Sequence, residues 1–227
     1  MSKKQELQII ARVKSDFPDK FGIPRQSGLV NELQSYIVFE PEFRNPDCLR
    51  ELDEYSHIWL LWQFSANLEA GWSPTVRPPK LGGNKRVGVF ASRSPFRPNS
   101  IGLSAVRLEG IELGTKHGPI LRISGADIMD GTPVFDIKPY VPYADCIPGA
   151  SGGYAVEKAS LQVNIPDAEL AKLPENLQSG LKALLAQDPR PGYQHDAERL
   201  YGLEFADFDI RFMVADGMLT VKNIIKK

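Results

Sequence analysis

HIWLLWQF, residues 57–64, is aromatic and almost entirely apolar. An apolar run of this length reads as a strand covered on both faces. Similar short runs recur at residues 7–13, 36–39, 87–91, 103–108, 120–123 and 134–141. Proline and glycine clusters at 77–83, 95–98 and 131–133 separate them, and such clusters mark turns. One short helical signal lies among them, Leu49 and Leu52 beside acids within residues 46–55. Many short strands with regular turns and few crossover helices predict a barrel or sandwich, not a doubly wound sheet.

The pattern changes after Pro148. GASGG at 149–153 reads as a loop or linker. Leu170, Leu173, Leu177, Leu181 and Leu184 then recur at helical spacing within residues 167–187, interrupted by Pro174. Two short helices or one kinked helix follow from that. Further on, Phe208, Ile210, Phe212 and Val214 alternate, Asp216-Gly217 follows, and Leu219 and Val221 resume. Asp-Gly supplies the positive φ angles of a tight turn, so this is a hairpin. The chain is thus expected to be mainly β, with a β-rich domain over residues 1–150 and a small α+β domain over 154–227.

The 227 residues are 42% hydrophobic and 24% charged, with a net charge of -1. These are ordinary values for a soluble globular chain, and the length suffices for a proper core. Near-neutral charge means that any basic site must be local. Cys48 and Cys146 lack metal-ligand spacing and are expected to be reduced thiols. The N-terminus carries lysines and only a short apolar run, so it reads as neither signal peptide nor anchor. No stretch approaches the roughly 20 apolar residues of a membrane span. A cytoplasmic protein with no membrane partner is the expectation.

From Ala70 to Leu108 there is no Asp or Glu, but there are Arg77, Lys80, Lys85, Arg86, Arg93, Arg97 and Arg107. The local bias fits a phosphate-facing surface, where each cation contact releases condensed counterions. A solvated face answering acids elsewhere is the alternative. The interleaved residues favour the first. Gly82-Gly83 lets a backbone approach a ligand closely. Trp72 and Phe96 offer faces on which a base can stack. RPPK at 77–80 and RSPFRPN at 93–99 set cations on proline-stiffened loops, which lose less entropy on binding. An RNA partner is expected here.

DGTP at 130–133 reads as a turn whose exposed backbone groups can read the edge of a small heterocycle. Asp136 and Lys138 flank Ile137 in a strand and therefore share a face. Both an exposed ion pair and an acid–base pair in a cleft are compatible with that spacing. No glycine-rich dinucleotide fingerprint or P-loop is present. His57, His117 and His195 lie far apart without metal-like spacing, so no metal is expected. His57 reads as structural and His117 as solvent-facing, and no serine sits in a nucleophile elbow.

Several long strings in this chain resemble the TsaA/TrmO family: FGIPRQSGL (21–29), SHIW (56–59), RPPKLGGN (77–84), GVFASRSPFRPNSIGL (88–103), DGTP (130–133) and DIKPY (136–140). QDPRPGY (187–193) is similar to the accessory-domain motif of the bacterial members. The resemblance covers about residues 5–150 with few gaps. It implies a β-barrel methyltransferase that uses S-adenosylmethionine and works as a homodimer. It also implies N6-methylation of N6-threonylcarbamoyladenosine at position 37 of tRNA, beside the anticodon.

By motif position, the resemblance implies that the cofactor lies against Pro24, Arg25, Gln26, Ser65, Ala66, Arg93, Leu103, Asp130, Gly131, Thr132 and Pro133. Arg25 and Arg93 would meet its carboxylate, and backbone groups near Leu103 and Thr132 its adenine. Ser65 departs from the His that members often carry, which leaves backbone contacts at that position. Arg77, Lys80, Lys85, Arg86 and Arg97 remain for RNA.

The acceptor nitrogen is urea-like, a weak nucleophile with a comparatively acidic N–H. Alignment with the donor methyl is worth up to roughly 7–11 kcal/mol, and proton acceptance about 10²–10⁴ in rate. Asp136, with Asp130 behind it, is the candidate acceptor, and Asn99 would orient the base. Lys138 or Arg97 would bind the threonyl carboxylate. Arg190 and Tyr193 form a stiff cationic and aromatic pair that would contact the tRNA stem or the partner subunit, or merely stop a helix. A non-catalytic RNA-binding module and a small-molecule methyltransferase are the competing readings.

Overall fold

The structure, a computed structural model, describes residues 5–155, 160–190 and 196–227. In chain order the first strands are β1 (Ala11–Lys14), β2 (Gln34–Phe39), β3 (His57–Gln63), β4 (Thr75–Val76), β5 (Val87–Gly88), β6 (Ile101–Thr115), β7 (Gly118–Ser124) and β8 (Pro133–Pro139). Six of them close into a barrel in the order β1-β2-β7-β6-β3-β8. Closure removes the free edges that an open sheet would leave unpaired. Ile37, Ile58, Leu60, Leu121, Ile123, Ile128 and Val134 fill its interior with no exposed surface.

The outer face of β3 departs from the expectation. Ile58, Leu60 and Trp62 are buried, whereas Trp59 and Leu61 are only half-buried. A barrel wall covers one face by closure, and the other needs a separate layer. Here that layer is thin: the Tyr140 ring lies 5.5 Å from that of Trp59, and Trp59 Nε1 donates to Asp145 Oδ2 at 2.9 Å. Residues 46–55 also differ from a helix. They form two 3-10 turns, Pro46–Leu49 and Leu52–Glu54, separated where Arg50 is extended and Glu51 is left-handed at φ 64°. The 87–91 run is a strand only at β5, which pairs with β4 in a ribbon apart from the barrel.

The rest of the chain adds α1 (Pro142–Asp145), β9 (Gln162–Asn164), α2 (Asp167–Leu170), α3 (Glu175–Ala186), β10 (Tyr201–Phe205), β11 (Phe208–Ala215) and β12 (Met218–Lys226). Pro174 separates α2 from α3, as expected of a residue without an N–H. The four-stranded sheet runs β10-β11-β12-β9. Asp216 and Gly217 turn the β11–β12 hairpin with φ 49° and 76°. Phe208, Ile210, Phe212 and Val214 all point into a core shared with Leu181, Leu184 and Leu185 of α3.

That second core also takes Phe17, Val30 and Leu33 from the long β1–β2 connection. The fit is close. A Cβ on Gly22 would fall 1.9 Å from Leu203 Cδ1, and one on Gly180 2.1 Å from Leu33 Cδ2. The connection is therefore clamped between the barrel and the C-terminal sheet. No helix among the described residues is long and apolar enough to cross a membrane.

Candidate active site

The clamped connection forms one wall of a cleft of about 1290 Å³. The end of β3 and the turn after it, the 90–99 loop and the start of β6 form the others. Drug-sized ligand sites usually occupy about 300–1,000 Å³, so this one has room for two reactants. Trp62, Gly102, Asp127 and Thr132 lie in its wall. The Trp62 ring sits on Gly102, where a Cβ would come within 2.3 Å of Cε2. Phe64 meets it edge-on, with ring centroids 4.4 Å apart.

A directed hydrogen-bond chain runs beneath. Trp62 Nε1 donates to Ser104 Oγ at 3.0 Å, and Ser104 Oγ donates to Asp127 Oδ1 at 2.6 Å. Burial pushes the Asp127 carboxyl above the ordinary carboxylate range. The bond from Ser104, then backbone N–H groups of Asp127 and Ser27 and the charge of Arg93 pull the other way without cancelling it. Asp127 stands three residues before the DGTP turn and is not marked by any motif in the sequence. An Asp beside a turn motif carries no spacing signal, and only the fold brings it under Ser104.

Of the cofactor candidates, Pro24, Arg25, Gln26, Ser65, Ala66, Arg93, Leu103 and Thr132 line the cleft. Four cations line it, Lys20, Arg25, Arg93 and Arg97, and the three arginines hydrogen-bond to neutral oxygens among the described residues. Arg25 Nη2 donates to the Arg190 carbonyl at 2.8 Å, Arg93 to the Gln26 side-chain oxygen, and Arg97 Nη1 to the Ser92 carbonyl at 3.2 Å. Asp130, Gly131 and Pro133 stand behind the wall. Asp130 accepts from Lys14 Nζ and the Ser15 N–H, each at 3.0 Å. Gly131 turns with φ 74°, and Pro133 opens β8. Together they hold Thr132, which is 2% exposed.

Asn99 also lines the cleft, but Asp136 and Lys138 do not. The register of β8 on β3 pairs Asp136 with Leu61 and Lys138 with Trp59, on the outer barrel face. There they form an ion pair at 2.9 Å, with side chains 44% and 64% exposed. Of the two arrangements left open for this pair, the structure has the exposed one. Arg77, Lys80, Lys85 and Arg86 ride on the β4–β5 ribbon, and Arg86 Nε is anchored to Thr75 Oγ1 at 2.7 Å. Phe96 lines the cleft, as does Phe90, which is 78% exposed at its mouth, while Trp72 is exposed outside it. Pro191, Gly192, Tyr193 and His195 lie outside the described residues. No cluster of three or more potential metal ligands occurs among the described residues.

Residues 12–146 match the tRNA-methyltransferase O N-terminal domain, and residues 158–227 the TrmO C-terminal domain. The chain belongs to the tRNA-methyltransferase O family. It is 39% identical over 221 residues to the tRNA (adenine(37)-N6)-methyltransferase of Escherichia coli, covering 93% of this chain and 94% of that one. The corresponding enzyme of Eikenella corrodens is 44% identical over 173 residues, covering 75% and 97%. A crystal structure of TrmO from Pseudomonas aeruginosa superposes with a TM-score of 0.80 at 31% identity, over 98% of this chain and 99% of that one. As a TrmO-family chain, this protein is an S-adenosylmethionine-dependent tRNA methyltransferase. The TrmO C-terminal domain reaches the cleft through Arg190, whose carbonyl holds Arg25.

Proposed function

We propose that this enzyme N6-methylates N6-threonylcarbamoyladenosine at position 37 of tRNA, acting in the cytoplasm as a homodimer. The observation that carries the reading is the pairing of a two-reactant cleft, lined by Arg25, Arg93 and Arg97, with an adjoining basic ribbon. S-adenosylmethionine, when bound, supplies an electrophilic methyl group on a sulfonium. The residues present suit it. Among the described residues Arg25 and Arg93 hydrogen-bond to neutral oxygens, so their guanidinium groups can also meet a carboxylate, although the charge of Arg93 acts on Asp127 as well. Pro24, Gln26, Ser65, Ala66 and Leu103 would flank the rest, with Thr132 kept in place by Asp130, Gly131 and Pro133.

On the acceptor side, Arg97 and Asn99 share the cleft. Arg97 would pair with the threonyl carboxylate and select modified over plain adenosine. Asn99 would orient the base, and Phe90 and Phe96 offer stacking faces at the mouth. Arg77, Lys80, Lys85 and Arg86 would meet backbone phosphates. Four such contacts on single-stranded RNA give a log–log salt slope of about -3.

The test is nucleoside mass spectrometry of tRNA from a deletion strain. The methylated threonylcarbamoyl nucleoside should vanish while its precursor remains, and an unchanged nucleoside profile refutes the reading. A salt-independent tRNA affinity would instead favour a small-molecule substrate, and sedimentation as a monomer would remove the dimer.

A further inference from the structure

Asp127 is the one carboxylate among the described residues lining the cleft. Its surroundings fix its state more tightly than burial alone. An indole N–H can only donate, so Ser104 Oγ accepts from Trp62, and its own hydroxyl proton must point at Asp127 Oδ1. Ser104 is 1% exposed, so this hydroxyl has no solvent alternative. Oδ1 is thereby held as an acceptor by Ser104, and the backbone N–H groups of Asp127 and Ser27 also bond the carboxyl. The other acids considered for this role are committed elsewhere, Asp130 to Lys14 and Ser15, and Asp136 to Lys138 on the outer face.

We propose that Asp127 is the proton acceptor of the methyl transfer, with Ser104 and Trp62 as its positioning residues. The inference rests on the function proposed above. In the step, the acceptor nitrogen forms a bond to the methyl carbon as the sulfur–methyl bond breaks. The electron pair of the broken bond stays on sulfur, giving a neutral thioether, and the N–H proton passes to the Asp127 carboxylate. The methylated nitrogen is left uncharged, and the acid returns its proton to solvent after release. Burial supports the assignment, because it moves the carboxyl toward the working pH where a general base is most effective.

The charged groups that share the cleft with Asp127 are Lys20, Arg25, Arg93 and Arg97. All are cations, and Arg93 is the one whose charge acts on the carboxyl. The part of an acid limb in the rate that belongs to Asp127 is the part that Asp127→Asn abolishes. Single-turnover methylation of tRNA carrying threonylcarbamoyladenosine, measured against pH at saturating donor, tests this. The wild-type protein should show the acid limb. Asp127→Asn should lower the rate about 10²–10⁴-fold and abolish the limb, with donor affinity by calorimetry changed only a few-fold.

Ser104→Ala removes a bond that stabilises the carboxylate, so its acid limb should move to higher pH. A carboxyl NMR titration of the donor-free protein should show the same upward displacement of Asp127. A Ser104→Ala limb that stays in place overturns the relay. Asp127→Asn activity within a few-fold of wild type, or with the limb intact, overturns the acceptor role and leaves the proposed function standing. Normal Asp127→Asn turnover with a large loss of donor affinity also overturns it, making Asp127 a donor ligand. A wild-type protein that leaves this tRNA unmethylated refutes the function itself, and the acceptor role falls with it.

Discussion

Arg190 is the residue through which the C-terminal domain touches the cleft, and its removal has a cost that can be worked out. Its guanidinium meets Asp188 in two parallel bonds, 2.8 and 3.1 Å, with the two side chains 10% and 4% exposed. The same group lies 6.0 Å from the centre of the Tyr201 ring. Arg190→Met keeps the aliphatic stem and deletes the charge, so the buried Asp188 loses both of its bonds to the guanidinium. Breaking a buried pair from one side costs about 3–5 kcal/mol. In a chain of this size, with about 2–4 °C per kcal/mol, the melting temperature should fall by roughly 6–20 °C. The double variant Asp188→Asn with Arg190→Met removes the buried carboxylate charge as well. Asn also tolerates the left-handed backbone that Asp188 adopts at φ 53°. Thermal unfolding followed by circular dichroism should therefore find the double variant more stable than the single one. Donor affinity should follow the same order, because the Arg190 carbonyl positions Arg25. If the single variant melts within a degree or two of wild type, or the double variant melts no higher than the single, the buried-pair reasoning is refuted.

Gly102→Ala should destabilise by about 1–3 kcal/mol through overpacking against the Trp62 ring, with a change in tryptophan fluorescence as the indole leaves Ser104. A normal melting curve and an unchanged spectrum would count against the seating of Trp62. Asp127 has a folded pKa above its unfolded one, so its contribution to stability declines as pH rises through the folded value. Asp127→Asn should accordingly melt higher than wild type at pH 8, with the gap closing as pH falls below the ordinary aspartate value of about 3.9, where the side chain becomes protonated in both states. Glu169 is the opposite case. Hydrogen bonds from Lys172 and from the Ile224 N–H hold its carboxyl below the ordinary range, so its stabilisation is present near neutrality and lost as pH falls through the folded value. Glu169→Gln should flatten the acid side of the stability curve, and an unchanged curve refutes that role. Asp136→Ala or Lys138→Ala should change stability by less than about 1 kcal/mol, as expected of an exposed pair.

The barrel was legible because its strands are short, apolar and punctuated by proline and glycine, and the β11–β12 hairpin because Asp216-Gly217 stands between two alternating runs. What sequence periodicity does not carry is closure. It says which residues alternate, not which face becomes the inside, so the outer exposure of Trp59 and Leu61 appears only once β3 lies between β6 and β8. The same limit governs the site. Motif strings led to Arg25, Arg93, Leu103 and Thr132, which do line the cleft. Asp136 and Lys138 belong to an equally conspicuous string, but the strand register turns them outward. Asp127 is inconspicuous in the sequence because its partners, Ser104 and Trp62, lie 23 and 65 residues away and come from two other strands.

The C-terminal domain is part of the active-site scaffold, not an attachment to it. Phe17, Val30 and Leu33 flank the FGIPRQSGL string, and all three are buried in the C-terminal core at 5% exposure or less. Burying three such side chains contributes roughly 5–9 kcal/mol at about 1.5–3 kcal/mol each. That energy fixes both ends of the segment, and the Arg25 bond to Arg190 fixes its middle. The residues between, Pro24 to Gln26, thus face the cleft on a backbone whose entropy is already lost before any ligand arrives. Pre-ordering of this kind raises affinity by lowering the cost of binding without adding contacts. A chain ending near residue 150 would retain every lining residue of the barrel and still lose this pre-ordering, because the apolar anchors of the segment would have no core to enter.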